Sequence, residues 1–164
     1  MLTDEDWLNR RYYGGDLPAE AERALHQAAL CWSDEAAAET QIQLALSQAP
    51  GHLAVHLGAY KFYFYRHRLA EALPQAEACL GIAARRLGLP EDWQKIRLDQ
   101  ARFDETEGEP RLYLFALLAV GYLHLRLGDH PLGQAILEKV SQLDPKDRLG
   151  AVALLTALRT REEE

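Results

Sequence analysis

A chain of 164 residues, 48% of them hydrophobic, is long enough to fold around a real core and too apolar to be disordered along its length. Its net charge of −7 repels a phosphate backbone on average and disfavours nucleic acid as the main ligand. The two cysteines, Cys31 and Cys79, have neither zinc-site nor disulfide-framework spacing and point to a reduced, intracellular setting.

Thr3 is placed to cap a first short helix to about Arg11, with Asp4, Glu5 and Asp6 at the positive end of its dipole. Gly14-Gly15-Asp16-Leu17-Pro18 breaks it. Leu25, Ala28, Ala29 and Trp32 recur at helical spacing and predict a helix over Ala19–Trp32. Ser33-Asp34 ends that segment and starts the next, which runs to about Gln48 and stops at Ala49-Pro50-Gly51. Further helices are predicted over His52–His67 and Leu69–Leu87, the second closed by Gly88-Leu89-Pro90. Glu91–Gln100 reads as a short helix and Phe103–Pro110 as an acidic loop. Pro110 suits the first turn of a helix lasting to Leu127. Its partner spans Leu132–Leu143, and a last helix covers about Arg148–Arg159. Glu162–Glu164 form an acidic tail.

Only "KFYFY" resembles a strand, so the expected fold is all-α. The N-terminus is acidic where a secretory leader is basic and then apolar. The longest apolar run, Leu112–Leu125, falls short of the roughly twenty residues that cross a bilayer. A cytoplasmic protein without membrane contact is expected.

Ala38, Ala45 and Pro50 form a spacing set that recurs, thirty-four residues on, as Ala72, Cys79 and Ala84. The same order returns as Gly133, Val140 and Pro145. Small residues at fixed places, two helices per unit and a closing proline resemble the tetratricopeptide repeat family. Leu117, Val120 and Gly121 occupy its W-x-x-L-G slots, Gly133 and Leu137 fill A-x-x-x-F, and Pro145 closes the unit. The likeness covers about two-thirds of the chain and is strongest in that unit. In the preceding one His56 stands where a tryptophan is usual and Tyr60 where a glycine is, and the proline is missing. The resemblance implies one α-solenoid domain over 1–164. Its hairpins span 19–52, 53–86 and 114–147, with an insert at 87–113 and a capping helix at 148–160.

The first helix of each such unit lines a concave face, so the resemblance implies partner-binding places at Arg23 and Gln27, beside Glu20. It implies others at Lys61, Phe64 and Tyr65, and at Phe115, Tyr122 and Arg126, beside Leu118. Aromatics and arginine dominate interface anchors, and the stretch Tyr60–Arg68, "YKFYFYRHR", puts rings on all faces of one helix. Its interleaved Lys61, Arg66 and Arg68 also fit a single-strand binder, a reading the overall charge opposes. Family members that grip terminal carboxylates use lysines and asparagines. The corresponding places here hold Arg23, Gln27, Gly58, Phe115 and Ala119, so an apolar or amphipathic segment is the expected guest.

No residue set argues for catalysis. His52 and His56 share a helix face but lack a third ligand, and His56 falls in a packing slot. Nothing basic beside Cys31 would lower its pKa, and Cys79 stands in an alanine slot. Phosphate loops, HExxH and nucleophile elbows do not occur. Asp104-Glu105-Thr106-Glu107 reads as solvated charge. The segments "EDWLNRR" (Glu5–Arg11) and "EDWQKIR" (Glu91–Arg97) fit two similarly docked helix starts, or a shared surface at Trp7 and Trp93.

The expectation is therefore a non-enzymatic scaffold, adaptor or chaperone without cofactor or metal, holding another protein. Size and acidity resemble the tetratricopeptide chaperones of bacterial type III secretion. An excess of arginine over lysine resembles small proteobacterial repeat proteins, some of which accompany nitrogen-fixation genes. That likeness implies an accessory role in maturing a metalloenzyme such as nitrogenase. A self-associating structural homodimer is the competing reading.

Overall fold

The computed structural model describes residues 16–163. The expected helix at Thr3–Arg11, with Trp7, lies outside them. The described residues form seven α-helices and two 3-10 turns without a β-strand, so the fold is all-α. They divide into two compact units, with the division at Cys79 and Leu80.

In residues 16–79, α1 (Ala19–Leu30) carries Glu20 and Glu22 in its first turn and buries Ala21, Ala24 and Ala28. Helix α2 (Glu35–Gln48) starts where the Asp34 carboxylate accepts a hydrogen bond from the Ala37 N–H at 3.2 Å. It buries Ala38, Ile42 and Ala45. Alanines on both sides let the two helices pack closely. Gly51, at φ +81°, turns the chain into α3 (Leu53–Tyr65). There the His52 Nδ1 accepts from the Ala54 N–H at 3.1 Å. Helix α3 is buried around most of its circumference, from Leu53 through Phe62 and Tyr63.

Helix α4 (Leu69–Leu87) follows a tight turn in which His67 adopts φ +58°. The Arg68 N–H reaches back to the Tyr63 carbonyl there, and Ala72, Ala76 and Cys79 are buried. The same closure, an N–H reaching five residues back past a left-handed glycine, ends α4 at Gly88 and the next helix at Gly128.

In residues 80–163, the expected helix at 91–100 is replaced by 3-10 turns at Trp93–Lys95 and Leu98–Gln100. Ile96 is 1% exposed. Seating it takes extended backbone at Ile96 and Arg97, which breaks the helix in two. Phe103, expected in a loop, is buried with its ring 6.2 Å from that of Tyr113. Helix α5 (Glu109–Arg126) has Pro110 in its first turn. Helix α6 (His130–Leu143) is capped by Asp129, and α7 (Ala151–Glu163) begins three residues later than expected. The buried Asp144 carboxylate accepts from the Leu149 N–H at 2.9 Å, and left-handed Asp147 and Gly150 hold the intervening turn.

The small-residue set falls at equivalent depths. Ala38, Ala72 and Gly133 each lie three residues past the first residue of α2, α4 and α6, and Ala45, Cys79 and Val140 lie seven further on. All six are buried. Helices α5 and α6 meet backbone to backbone: a Cβ on Gly133 would lie 2.8 Å from the Gly121 carbonyl oxygen and 2.7 Å from Leu125.

Candidate partner-binding groove

Within residues 16–79 an open groove of about 750 Å³ runs between α1 and α3. Leu25, His26, Ala29 and Trp32 come from the α1 side, and Leu57, Gly58, Lys61 and Tyr65 from α3, over a floor of Ala28 and Ile42. Gly58 sets its width: an added Cβ would press to 2.9 Å from the Leu25 Cδ2. Its wall is mostly apolar with few charges, the make-up of a site that takes a side chain or helix face.

One end is an aromatic and cationic cluster. The Trp32 ring meets Phe62 edge-on at 5.5 Å. The Arg66 guanidinium lies 5.1 Å from the Trp32 ring and 4.6 Å from that of Phe62, and it donates to the Trp32 carbonyl. The Lys61 ammonium lies 5.9 Å from the Trp32 ring and 6.0 Å from Tyr65. These contacts fix the rings without covering Tyr65, which is 43% exposed.

A polar brace holds α2, α3 and α4. Arg68 pairs with Glu39 and Glu71, each at 2.7 Å, and stacks at 4.9 Å on the Tyr63 ring. The Tyr63 hydroxyl donates to Glu39 at 3.0 Å and accepts from Gln43 at 2.6 Å. The Arg68 hydrogen bond holds the Glu39 carboxyl below its ordinary pKa, against an opposing effect of burial. Burial, then the hydrogen bond to Glu39, pushes Tyr63 up.

Of the expected partner-binding residues, Lys61 and Tyr65 line the groove. Arg23 and Gln27 are exposed on a different face of α1, about 100° round from Glu22 and His26. Phe64 is half-buried outside the lining, its ring 5.4 Å from Tyr60 and 5.9 Å from Tyr65. In residues 80–163, Tyr122 and Arg126 line a separate cavity, and Phe115 lies half-buried with the Arg111 guanidinium 5.2 Å from its ring. The sequence reading missed Leu25, His26, Ala29, Trp32 and Leu57. The buried set Ala21, Ala24 and Ala28 is the signal that orients α1 and reveals them.

His52 and His56 do structural work. His56 Nε2 accepts from the Gly51 N–H at 3.1 Å, which leaves Nδ1 to donate to Gln75 Oε1 at 2.8 Å. His52 uses Nδ1 for its cap and Nε2 for Asp16 at 2.8 Å. Both ring nitrogens of His52 and of His56 are engaged, and the described residues contain no cluster of three metal-ligating side chains. Burial pushes the Cys79 thiol up to about 12, so it behaves as a small apolar group. Cys31 donates through its thiol to the Gln27 carbonyl at 3.0 Å. In the acidic loop Arg102 meets Glu105 at 3.5 Å, and Arg148 donates to the Asp104 carbonyl at 2.7 Å. Trp93 is half-buried on the first 3-10 turn.

Fold and groove define an all-α protein, and no helix among the described residues is long and apolar enough to cross a membrane. No family model matches the chain, and no solved structure does. A relative from Azotobacter chroococcum mcd 1, described as "Uncharacterized 19.8 kDa protein in nifW 5'region", is 39% identical over 132 residues. The match spans 79% of this chain and 74% of the relative, and the chain belongs to the same family.

Proposed function

We propose that the protein is a non-enzymatic interaction module built from tetratricopeptide-like hairpins, and that the groove of residues 16–79 receives an apolar or amphipathic segment of a partner protein. The observation that carries this reading is the open, mostly apolar groove of about 750 Å³ with Trp32, Lys61 and Tyr65 fixed at one end. Aromatic side chains ordered before binding lose little entropy when a partner arrives. The equivalent depths of Ala38, Ala72 and Gly133 support the repeat assignment.

The relative's description, in the nifW 5' region, supports a setting in nitrogen fixation. There a module of this kind serves as an accessory protein in the assembly or maturation of a metalloenzyme such as nitrogenase. The driving force is contact energy in the groove, with no covalent step.

Affinity purification from nitrogen-fixing cells tests this, using the wild-type chain beside Ala29→Trp and Tyr65→Ala. Ala29 is exposed on the groove wall, so a tryptophan fills the space without disturbing the core. The expected result is a defined client with the wild type and its loss with both variants at unchanged helicity. Recovery of the same client by both variants refutes the groove assignment. Light scattering that finds a dimer, broken by the same substitutions and without a client, supports self-association instead.

A further inference from the structure

A second cavity, of about 610 Å³, lies within residues 80–163 between the last turns of α5, the start of α6 and one face of α7. Leu125, Leu154, Ala157 and Leu158 make its apolar part. Among the described residues its ionisable groups, apart from the phenol of Tyr122, are Arg126, His130 and Arg161, without a carboxylate. In a chain with 25 acidic residues against 18 lysines and arginines, that is a marked local inversion of charge. None of the three takes part in an ion pair among the described residues. Asp129, beside His130 in the chain, turns its carboxylate to its own helix and accepts from the Leu132 N–H at 3.4 Å. Arg126 is held over the Tyr122 ring at 5.7 Å while it donates to the hydroxyl at 2.7 Å, which fixes one cationic corner.

The walls also have a direction. Leu154, Ala157, Leu158 and Arg161 follow one another at the three- and four-residue intervals of a single helix face, as do Tyr122, Leu125 and Arg126 on α5. Two such faces leave a trough whose ridges accept a third helix. We infer that this cavity docks an acidic amphipathic helix of a partner protein, with the partner's apolar stripe on Leu125, Leu154 and Leu158 and its carboxylates on Arg126 and Arg161. The site is separate from the groove of residues 16–79 and is tested separately.

The probe is a synthetic helical peptide, fluorescein-labelled, with leucines along one face and glutamates on its flanks. It is titrated with the full chain and followed by fluorescence anisotropy. Binding is expected to weaken as salt rises. In the double variant Arg126→Gln/Arg161→Gln it should weaken roughly tenfold, the combined effect of two exposed charge pairs, at unchanged helicity. Ala29→Trp should leave it untouched. Equal binding of a lysine counterpart or a leucine-free glutamate peptide overturns the inference. So does an unchanged affinity in the double variant, or loss of binding in Ala29→Trp.

Discussion

Replacing Gly133 by alanine sets two effects of known sign against each other. Alanine is worth about 1 kcal/mol over glycine in a helix interior, so propensity alone makes the change stabilising. The added Cβ, however, would lie 2.8 Å from the Gly121 carbonyl oxygen and 2.7 Å from the Leu125 side chain, where ordinary contact begins at 3.4 Å. Leu125 can rotate away, but a helix carbonyl cannot. Helices α5 and α6 must separate until 2.8 Å becomes at least 3.4 Å, which loosens the contacts of Ile136 and Leu137 on both sides of the crossing. Overpacking of this kind costs about 1–3 kcal/mol, and a backbone obstacle puts it in the upper part of that range. The net expectation for Gly133→Ala is destabilisation by about 1–2 kcal/mol, or a fall in Tm of about 2–8 °C for a chain of this size. Gly81→Ala is the control, because its Cβ meets only the flexible Arg85 side chain at 3.4 Å and the propensity gain should appear as a small rise in Tm. Thermal unfolding followed by circular dichroism reads both. A Gly133→Ala protein as stable as the wild type, beside a Gly81→Ala protein that gains, would refute the close crossing.

Gly121→Leu should be worse than Gly133→Ala in the same assay, since its Cβ alone meets Ile136 at 2.9 Å and Leu137 at 3.2 Å; equal Tm values would contradict the contact. Acid should weaken the brace in residues 16–79. The Glu39 pKa is lowered on folding, so its contribution is complete well above the ordinary value of 4.5 and is lost as pH falls from there through the folded value. The Tm gap between wild type and Glu39→Gln should therefore close between neutral pH and pH values well below 4.5, and a gap independent of pH would show the ion pair to be idle. Thiol labelling with an aromatic disulfide at mildly alkaline pH should modify Cys31 quickly and Cys79 only after denaturation, because Cys79 is 1% exposed and its pKa is pushed up to about 12. Two fast thiols in the native protein would contradict that burial.

Local chemistry made most of the helices legible in the sequence. Leu69–Leu87 is bounded as its composition predicts, between a turn before it and Gly88 after it, and Pro110 stands in the first turn of α5. The failures arise where a distant contact overrides a local preference. Glu91–Gln100 has helix-compatible residues, yet Ile96 is drawn into the core and the helix divides. The start of α7 moves because Asp144 is buried and binds the Leu149 amide, a bond that spacing alone does not reveal. The groove suffered in the same way. Lys61 and Tyr65 followed from the aromatic helix, but which side of α1 faces inward is decided by the alanines it shares with α2, so Arg23 and Gln27 fell on a different face and Ala29 and Trp32 were passed over.

The touching backbones of α5 and α6 also govern longitudinal alignment. Sliding α6 by one helical turn would bring His130 or Leu137 opposite the Gly121 carbonyl, a spot where one methyl group is already too large. The two glycines thus work as a key, admitting the neighbouring helix in a single axial position and rejecting its translations.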